Sequence, residues 1–274
     1  MRVRQTTGQI LIGTQGWNYD AWVGSFYPKA TRAPDYLPVY ARAFRTVEVD
    51  STFYGIPPET TVERWAACVP DGFLFAPKMP QAITHERRLH DAADVLDAFA
   101  ARIRLLGNKL GPVLIQLGPG FGPDRRTALE RFLPSLPGDI RFAVEFRRPE
   151  WIEPSILRLL ADHRVALALV DGRWLSRDLM LELTGSPTTD FAYVRWMGPD
   201  RAIEDYSRVV VDRNHEIAAW AAGLAALAER VSAVHGYVNN HFQGHSPASA
   251  RAFQRLVGQR PVEPGELAEQ VELF

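Results

Sequence analysis

Cysteine is almost absent from this sequence. Cys68 is the single cysteine among 274 residues, which excludes an internal disulfide framework and a zinc site built from several cysteines. Its place in the helix-like pattern from Val62 to Val69 favours a buried, inert thiol. No apolar run reaches the length that spans a bilayer, and the residues after Met1 lack the apolar core of a signal peptide. We therefore expect a cytoplasmic protein without membrane contact.

The sequence also lacks an excess of charge of one sign. It has 31 Lys and Arg against 32 Asp and Glu, for a formal net charge of -1. This balance provides no general basic footprint for nucleic acid, so a nucleic-acid partner is disfavoured. No Gly/Ser linker or low-complexity tract divides the chain, and 46% hydrophobic residues suffice for a large core. We predict one domain over residues 1–274. The composition identifies neither a cofactor nor an oligomeric state.

What the sequence does contain is a regular alternation of strand-like and helix-like segments. Alternation of this kind predicts a parallel sheet of the α/β class, and eight repeats predict a single (β/α)8 TIM barrel. The rival is an open doubly wound sheet, which should carry a glycine-rich phosphate turn that Gly13 to Gly16 match poorly. The segment from Gly172 to Thr189, after strand six, is irregular. The predicted strands are Gln9–Gln15, Thr46–Asp50, Phe73–Lys78, Pro112–Leu117, Arg141–Phe146, Val165–Val170, Phe191–Arg195 and Val234–Asn239.

The predicted strands become polar at their carboxyl ends, where barrel enzymes carry their active sites. Alternate side chains of a barrel strand point into the lumen, and following that phase predicts one polar site. Its strand residues are Glu48 and Asp50, Lys78, Gln116, Glu145 and Arg147, Asp171, Arg195, and Asn239. The alternative is a buried ion-pair network of Glu48, Lys78, Glu145 and Arg195 that only closes the barrel, although such networks stabilise proteins weakly.

Three of these residues are candidate catalytic groups, namely Glu48, Lys78 and Glu145. Carboxylates placed near cations or apolar walls can be tuned for proton transfer. A desolvated lysine can instead act as a nucleophile and form a Schiff base. Glu48 is the stronger candidate of the two acids in its strand, because Lys78 on the neighbouring strand can pair with it. Asp50 can instead cap the turn that follows.

Residues in the loops extend the predicted site. Trp17 and Tyr54 belong to a set of aromatic residues at strand ends, which suits stacking on sugars or nucleosides. His85 lies in the loop after strand three. Residues predicted to bind substrate are these three together with Gln116, Arg147, Asp171, Arg195, Asn239 and Asn240.

The loop after strand eight predicts an anionic ligand. Asn239 and Asn240 precede Ser246 and Pro247, a pair typical of a helix start. Barrels often bind phosphate between the loops after strands seven and eight and a helix amino terminus. We therefore expect a phosphate or carboxylate group near Arg195, with ordinary helix capping as the alternative.

Several segments along the chain carry a family resemblance. They run in family order and are Gly13 to Trp17, Phe26 to Pro28, Val47 to Tyr54, Phe73 to Lys78, Thr84 and His85, Leu114 to Leu117, Val144 to Arg147 with Pro149 and Trp151, Tyr193 to Arg195, and Asn239 and Asn240. Through them the chain resembles the DUF72 (YecE-like) family of uncharacterised proteins. The resemblance implies a TIM barrel and implies no activity, substrate or cofactor. Family members usually carry a His-Gly segment after the strand-seven arginine, where this chain has Arg195 to Gly198, and a histidine is also common where Arg148 stands.

Three functions stay open at this point. The first is an enzyme that acts on a small polar, anionic or sugar-like substrate by carboxylate and lysine acid–base chemistry, as a hydrolase, lyase or isomerase. The second is a metal-dependent barrel of the sugar-isomerase or endonuclease kind with Glu48, Glu145, Asp171 and a loop histidine as ligands, although Lys78 and Arg195 would crowd a cation. The third is a non-catalytic protein that binds a small molecule.

Overall fold

A computed structural model of the protein describes residues 7–269. The prediction that the amino-terminal residues do not form a signal peptide concerns residues that lie mostly outside this range. The strands are β1 (Gln9–Thr14), β2 (Thr46–Val49), β3 (Leu74–Pro77), β4 (Val113–Gln116), β5 (Phe142–Glu145), β6 (Val165–Gly172), β7 (Phe191–Gly198) and β8 (Ala233–Val238). The helices are α1 (Tyr36–Ala43), α2 (Glu59–Ala67), α3 (Ala93–Ile103), α4 (Arg126–Phe132), α5 (Pro154–Asp162), α6 (Arg177–Glu182), α7 (Asn214–Ala228), α8 (Asn240–Gln243), α9 (Ser246–Leu256) and α10 (Pro264–Glu269).

The strands form two parallel sheets. Six of them pair in the spatial order β1-β8-β7-β6-β5-β4, and β2 pairs with β3. All the ladders are parallel, which confirms the predicted α/β class with strands alternating with helices. No described helix combines the length and the apolar composition needed to cross a membrane.

Isolated bridges join the two sheets at both edges. The bridge from Gln15 to Glu48 links β1 to β2, and the bridge from Lys78 to Leu114 links β3 to β4. The amide of Gly16 donates to the Glu48 carbonyl oxygen at 2.9 Å. These contacts connect the two sheets in chain order between β1 and β2 and between β3 and β4, where the regular hydrogen-bond ladder is interrupted.

A tyrosine hydroxyl connects β1 to β2 where the ladder is interrupted. The Tyr40 hydroxyl accepts from the Thr14 amide at 2.9 Å and donates to the Thr46 carbonyl oxygen at 3.0 Å. At Gly13 the two strands come so close that a Cβ would lie 2.0 Å from the Thr46 oxygen. The missing side chain of Gly13 therefore permits this approach.

Buried side chains form two layers. The larger layer lies between strands and helices and contains Phe142 and Val144 of β5. The smaller layer contains Ala143 from the same strand and fills the space enclosed by the strands with side chains from β3, β4, β6, β7 and β8. Alternation along β5 therefore directs every second residue into the lumen, and the next lumen position after Ala143 is Glu145.

The inward phase of β6 differs from the prediction. Ala166, Ala168 and Val170 belong to the lumen layer, whereas Leu169 packs in the strand–helix layer. The strand is apolar in both phases because it is buried on both faces, so its sequence contains no alternation from which the inward face can be read. Asp171 therefore points away from the lumen. The irregular segment that follows contains the short helix α6.

Candidate functional site

A polar cavity of about 680 Å³ lies at the carboxyl ends of the strands. The inward-facing residues of the strands predict a site at this same end of the sheet. The predicted site residues that line it are Tyr54, Lys78, His85, Gln116, Glu145, Arg147, Arg195 and Asn239.

Arg195 lies at the floor of this cavity and has no exposed surface. Its Nε and Nη2 donate to the two carboxylate oxygens of Glu48 at 2.9 and 2.8 Å, and its Nη1 donates to Glu145. The Tyr193 hydroxyl adds a bond of 2.6 Å to Glu48. Burial opposes protonation of Arg195, but the two carboxylates outweigh it and hold its pKa well above the usual range. The guanidinium is thus locked in place.

Glu48 lies beneath the cavity and does not line it. Its side chain is fully buried, and burial raises its pKa while Arg195 opposes that rise. The bidentate contact favours the ionised form of both partners. Lys78 does not pair with Glu48, which corrects the expectation from the sequence. Glu48 instead orients Arg195.

Glu145 is ionised by its neighbours. Burial acts to raise its pKa, but Arg195 and Arg147 outweigh that effect, so the pKa is lowered. The Arg147 Nε donates to the second Glu145 oxygen at 3.2 Å. Glu145 therefore holds two guanidinium groups, of which Arg147 extends further into the cavity, with 19% of its side chain exposed.

Lys78 pairs with Asp50 rather than with Glu48. Its Nζ lies 3.3 Å from Asp50 Oδ1, but that oxygen has no hydrogen-bond partner among the described residues. The ammonium also lies 4.0 Å above the Phe53 ring. Burial is the largest effect on Lys78 and lowers its pKa; Asp50 opposes this change. Its proton is therefore held weakly.

Asp50 is positioned by a short relay of amides. Gln15 Nε2 donates to Asp50 Oδ2 at 2.9 Å, and Asn239 Nδ2 donates to the Gln15 side-chain oxygen. Gln15 is a site residue that the sequence interpretation missed. It lies two residues after the inward-facing Gly13 at the end of the first predicted strand, which is a signal that could have identified it.

His85 and Phe53 form the wall beside Lys78. The His85 ring meets the Phe53 ring edge to face at 5.0 Å, and its Nδ1 lies 2.9 Å from the Thr84 hydroxyl. Burial and the neighbouring Lys78 lower the pKa of His85, so its imidazole is neutral near pH 7. Tyr54 is 75% exposed at the rim.

The outer rim is formed by loops after β6 and β7, which the sequence interpretation mostly left out. Arg173 lies 4.2 Å from the Trp174 ring, and Arg147 lies 5.9 Å from the same ring. Arg201 and His241 complete this side of the cavity. The rim therefore adds two arginines to the cations of the floor.

Comparison with known proteins now decides the family. The family described as "Protein of unknown function DUF72" matches residues 11–271. This chain belongs to the DUF72 family. Its relatives include UPF0759 protein YecE of Escherichia coli K12, 32% identical over 169 residues, and UPF0759 protein YunF of Bacillus subtilis strain 168, 34% identical over 153 residues. The chain spans 60% of the length of the first relative and 53% of the second.

Solved structures of DUF72 proteins share the fold. One from Thermotoga maritima superimposes with a TM-score of 0.78 at 24% identity and covers 92% of this chain and all of its own. One from Enterococcus faecalis superimposes with a TM-score of 0.71 at 21% identity and covers 91% of this chain and 98% of its own. The family resemblance predicted from the sequence is thus confirmed.

In this DUF72 protein Asp171 is not a site residue. It points outward from β6, where the Trp220 Nε1 donates to its Oδ2 at 2.8 Å and Arg177 forms two further bonds. The prediction that Asp171 binds substrate fails because the inward phase of β6 is shifted by one residue. Through these hydrogen bonds Asp171 connects helices α6 and α7 to β6.

We expect Asp171→Ala to lower the free energy of unfolding by about 1 to 3 kcal/mol, because it leaves the buried Trp220 donor and Arg177 without their acceptor. Urea denaturation measures this change. Asp139→Ala is the matched control, since Asp139 also accepts two bonds from one arginine, Arg104, but is 59% exposed. A loss as small as that of the control would contradict the structural role of Asp171.

Trp17 also lies away from the polar cavity. Its half-buried ring packs edge to face on Trp65 at 5.6 Å and on Phe75 at 6.3 Å, because this contact removes aromatic surface from water. It lines a separate cavity of about 670 Å³ together with Leu37 and Cys68. Trp17 is therefore placed in the strand–helix layer and not on the aromatic rim.

Asn240 closes the helix terminus that was expected to bind an anion. Its Oδ1 accepts from the Ser246 amide at 3.0 Å and hydroxyl at 2.8 Å, and the Trp22 Nε1 lies at 3.2 Å. Ser246 has no exposed surface. The start of α9 is therefore satisfied internally, which corresponds to the alternative of ordinary helix capping. Asn240 is structural, whereas Asn239 faces the cavity.

The metal-dependent alternative gains no support from this geometry. Within residues 7–269 no group of three or more His, Cys, Asp or Glu side chains is placed to hold a metal ion. Of the three expected carboxylate ligands, Glu48 and Glu145 are held by Arg195, and Asp171 lies on the far side of its strand. Cations occupy the positions where a metal would have to bind.

Proposed function

We propose that this DUF72 protein is an enzyme that binds a small, polar, anionic substrate in the cavity at the carboxyl ends of the strands. Lys78 acts on the substrate by acid–base chemistry. The reaction classes that fit are lyase, isomerase and hydrolase chemistry, all of which need a proton acceptor and donor near neutral pH.

The observation that carries this proposal is the state of Lys78. It lies at the end of β3, is 6% exposed, lines the cavity and has its pKa lowered by burial. A lysine with a lowered pKa gives up its proton more readily than an ordinary lysine and can exchange it with a substrate. Glu145 is less suited to this task, because two arginines stabilise its ionised form. It positions those arginines instead.

The charges of the cavity support an anionic substrate. Five cationic side chains line it, namely Lys78, Arg147, Arg173, Arg195 and Arg201. Three carboxylates line it, namely Asp50, Glu145 and Asp200, and Glu48 lies beneath. Five positive charges against four negative ones leave a net charge of about +1. The positive excess lies at the rim, where Arg147, Arg173 and Arg201 can reach a ligand.

A thermal-shift screen of organic phosphates, carboxylates and neutral sugars tests this proposal. We expect anions to raise the melting temperature and neutral sugars to leave it unchanged. Arg147→Met should weaken binding of a responding anion by about tenfold or more, because a charge-assisted hydrogen bond contributes about 1.5 to 3 kcal/mol. Calorimetric titration measures this loss.

Arg148→Met is the matched control for Arg147. Arg148 is the next residue, but it is 44% exposed and pairs with Glu150 at 3.0 Å, outside the cavity lining. Its replacement should leave affinity unchanged. Equal effects of the two variants, or binding of neutral sugars alone, would contradict an anionic substrate. Binding without turnover of any responding ligand would instead favour the non-catalytic protein.

A further inference from the structure

Lys78 differs from the other lysines of this chain in how its amine is held. The sequence contains only three, Lys29, Lys78 and Lys109. Lys29 is exposed, and the Lys109 Nζ donates to the Ala66 and Val69 carbonyl oxygens at 2.7 Å each. Lys78 is buried yet makes no side-chain hydrogen bond to the described residues; its one ionic neighbour is Asp50. Its amine is therefore shielded from bulk water and held by one ion pair and the Phe53 ring rather than by side-chain hydrogen bonds.

We propose that Lys78 forms a Schiff base with a small carbonyl compound that carries an acidic group, either a carboxylate or a phosphate. This inference rests on the proposed function, because it places the substrate in the same cavity. It goes further by assigning a covalent role to the amine and a carbonyl to the substrate.

The geometry fixes where the amine is presented. The Thr52 hydroxyl donates to the Lys78 carbonyl oxygen at 2.7 Å and lies 3.0 Å from the Lys78 amide. The amide of Met79 donates to the Leu114 carbonyl oxygen at 2.8 Å. These contacts hold the backbone on both sides of Lys78. Only the flexible stem and the amine are free to follow a reacting carbonyl, as nucleophilic lysines require.

The step balances without an external oxidant or reductant. The neutral amine forms a C–N bond to the carbonyl carbon as the C–O π bond opens, and one proton moves from the nitrogen to the oxygen to give a carbinolamine. A second proton, taken from solvent, protonates the hydroxyl group, which leaves as water with the electrons of the C–O bond. The nitrogen lone pair then completes the C=N bond of the protonated imine. Asp50 Oδ1 is placed 3.3 Å from Nζ, within reach of the protons that move. The protonated imine then accepts electrons from a neighbouring C–H or C–C bond, as lyase or isomerase chemistry needs.

Other cations of the cavity lining are available to the acidic group of the substrate. Arg147 uses its Nε for Glu145, which leaves its terminal nitrogens for a ligand. Arg201 and Arg173 line the rim nearby. Arg195 is less available, since Glu48 and Glu145 occupy its Nε and both terminal nitrogens. A carboxylate or phosphate would therefore contact the rim arginines while the carbonyl faces Lys78.

Trapping with cyanoborohydride tests the proposal, since this reagent reduces imines to stable secondary amines. The full-length protein is incubated with pyruvate, with dihydroxyacetone phosphate and, as neutral counterparts, with methyl pyruvate and dihydroxyacetone. Intact mass should increase by the mass of the carbonyl compound less one oxygen atom, and peptide mapping should place the label on Lys78. A preference for pyruvate or for dihydroxyacetone phosphate identifies the acidic group.

Two variants keep the test decisive. Lys78→Met should lose the label, whereas Lys109→Met should retain it, and an intact unfolding transition shows that each variant is folded. A label spread over Lys29, Lys109 and the amino terminus, or one that survives Lys78→Met, would overturn the proposal. So would the absence of label with both acidic carbonyl compounds. If anions still bind in that case, the proposed function stands and only the Schiff base is wrong.

The pH dependence of trapping gives a second readout. The charged groups that act on Lys78 are Asp50, Glu48 and Glu145, which raise its pKa, and Arg195, which lowers it; the neutral His85 lies beside it. Of the three carboxylates, Asp50 raises the pKa of Lys78 most. Asp50→Asn therefore lowers the pKa of Lys78 further, and a larger fraction of its amine is neutral at a given pH. The pH at half-maximal trapping rate should move down. A shift upward, or none, would contradict the role of Lys78.

Discussion

Replacement of Arg195 by methionine is expected to lower the free energy of unfolding by about 3 to 5 kcal/mol, the range for removal of one partner from a buried ion pair. Arg195 donates to both Glu48 oxygens and to Glu145, and all three side chains are at most 2% exposed. Methionine supplies no donor, so Glu48 remains buried without a cation and Glu145 keeps only Arg147. Urea denaturation at pH 7 measures the loss.

Arg104→Met is the control for this variant. Arg104 forms a bidentate pair with Asp139 at 2.8 Å, but both side chains are about half exposed, so its loss should cost less than about 1 kcal/mol. The triple variant Arg195→Met, Glu48→Gln, Glu145→Gln should recover part of the stability, because it no longer buries unpaired charge. An Arg195→Met loss equal to that of the control would show that the carboxylates are protonated in the native protein.

The contribution of Arg195 to stability bears on two interpretations that the sequence left open, a functional site and a structural ion-pair network. The alternative to a functional site was a buried network of Glu48, Lys78, Glu145 and Arg195. The structure joins three of these residues and leaves Lys78 outside, paired with the partly exposed Asp50. The network therefore forms the rigid floor, and the weakly held lysine lies beside it. A floor of fixed charges is what a pre-organised site requires.

The residues at the floor of the polar cavity can be predicted from the sequence where inward-facing and outward-facing residues of a strand differ in polarity. In β2, Val47 and Val49 pack in the strand–helix layer and Glu48 lies between them, so the inward phase follows from the pattern. The same holds for β5 and for Tyr193 and Arg195 in β7. The method fails at β6, where both phases are apolar. Apolar residues on both faces are typical of parallel strands, so this limit is physical.

Which charged residues pair with each other could not be predicted from the alternation of inward and outward side chains along each strand. Glu48 pairs with Arg195 rather than with Lys78 because the offset between strands decides which ends meet, and no local pattern encodes that offset. The bridges place Glu48 opposite Gln15 and Lys78 opposite Leu114. Asp50 lies two residues beyond Glu48, at the start of the 3-10 helix from Asp50 to Phe53, and so reaches Lys78. Loop residues such as Arg201 were missed because no strand pattern encodes their position either.

Lys78→Met is expected to raise the free energy of unfolding by about 1 kcal/mol in urea denaturation while abolishing the cyanoborohydride label. Replacing a whole buried ion pair by apolar groups of similar volume is often neutral or stabilising by about 1 to 4 kcal/mol, whereas removal of one buried partner destabilises. The lower end of the gain applies here because the remaining partner is not fully buried. Asp50 is 39% exposed, so water can solvate it once its partner is gone. Residues retained at a cost in stability are typical of active sites.

Lys109→Met gives the opposite sign and serves as the control. Lys109 is similarly enclosed, with 13% of its side chain exposed, but it donates to two carbonyl oxygens. Its loss leaves both acceptors without this donor and should destabilise the protein by about 1 to 3 kcal/mol. If both variants destabilise equally, Lys78 is a structural lysine and the stability argument for its function fails.

The gain from Lys78→Met should depend on pH in a defined direction. Because the pKa of Lys78 is lower in the folded state, the unfolded chain binds more protons, and the stability of the native protein rises with pH. The penalty is complete below the folded pKa and vanishes above the unfolded value of about 10.4. The difference in unfolding free energy between variant and native protein should therefore shrink from pH 7 to pH 10. A difference that grows over this range would mean that Asp50 stabilises the charged lysine more than burial destabilises it, and that the amine is not poised to lose its proton.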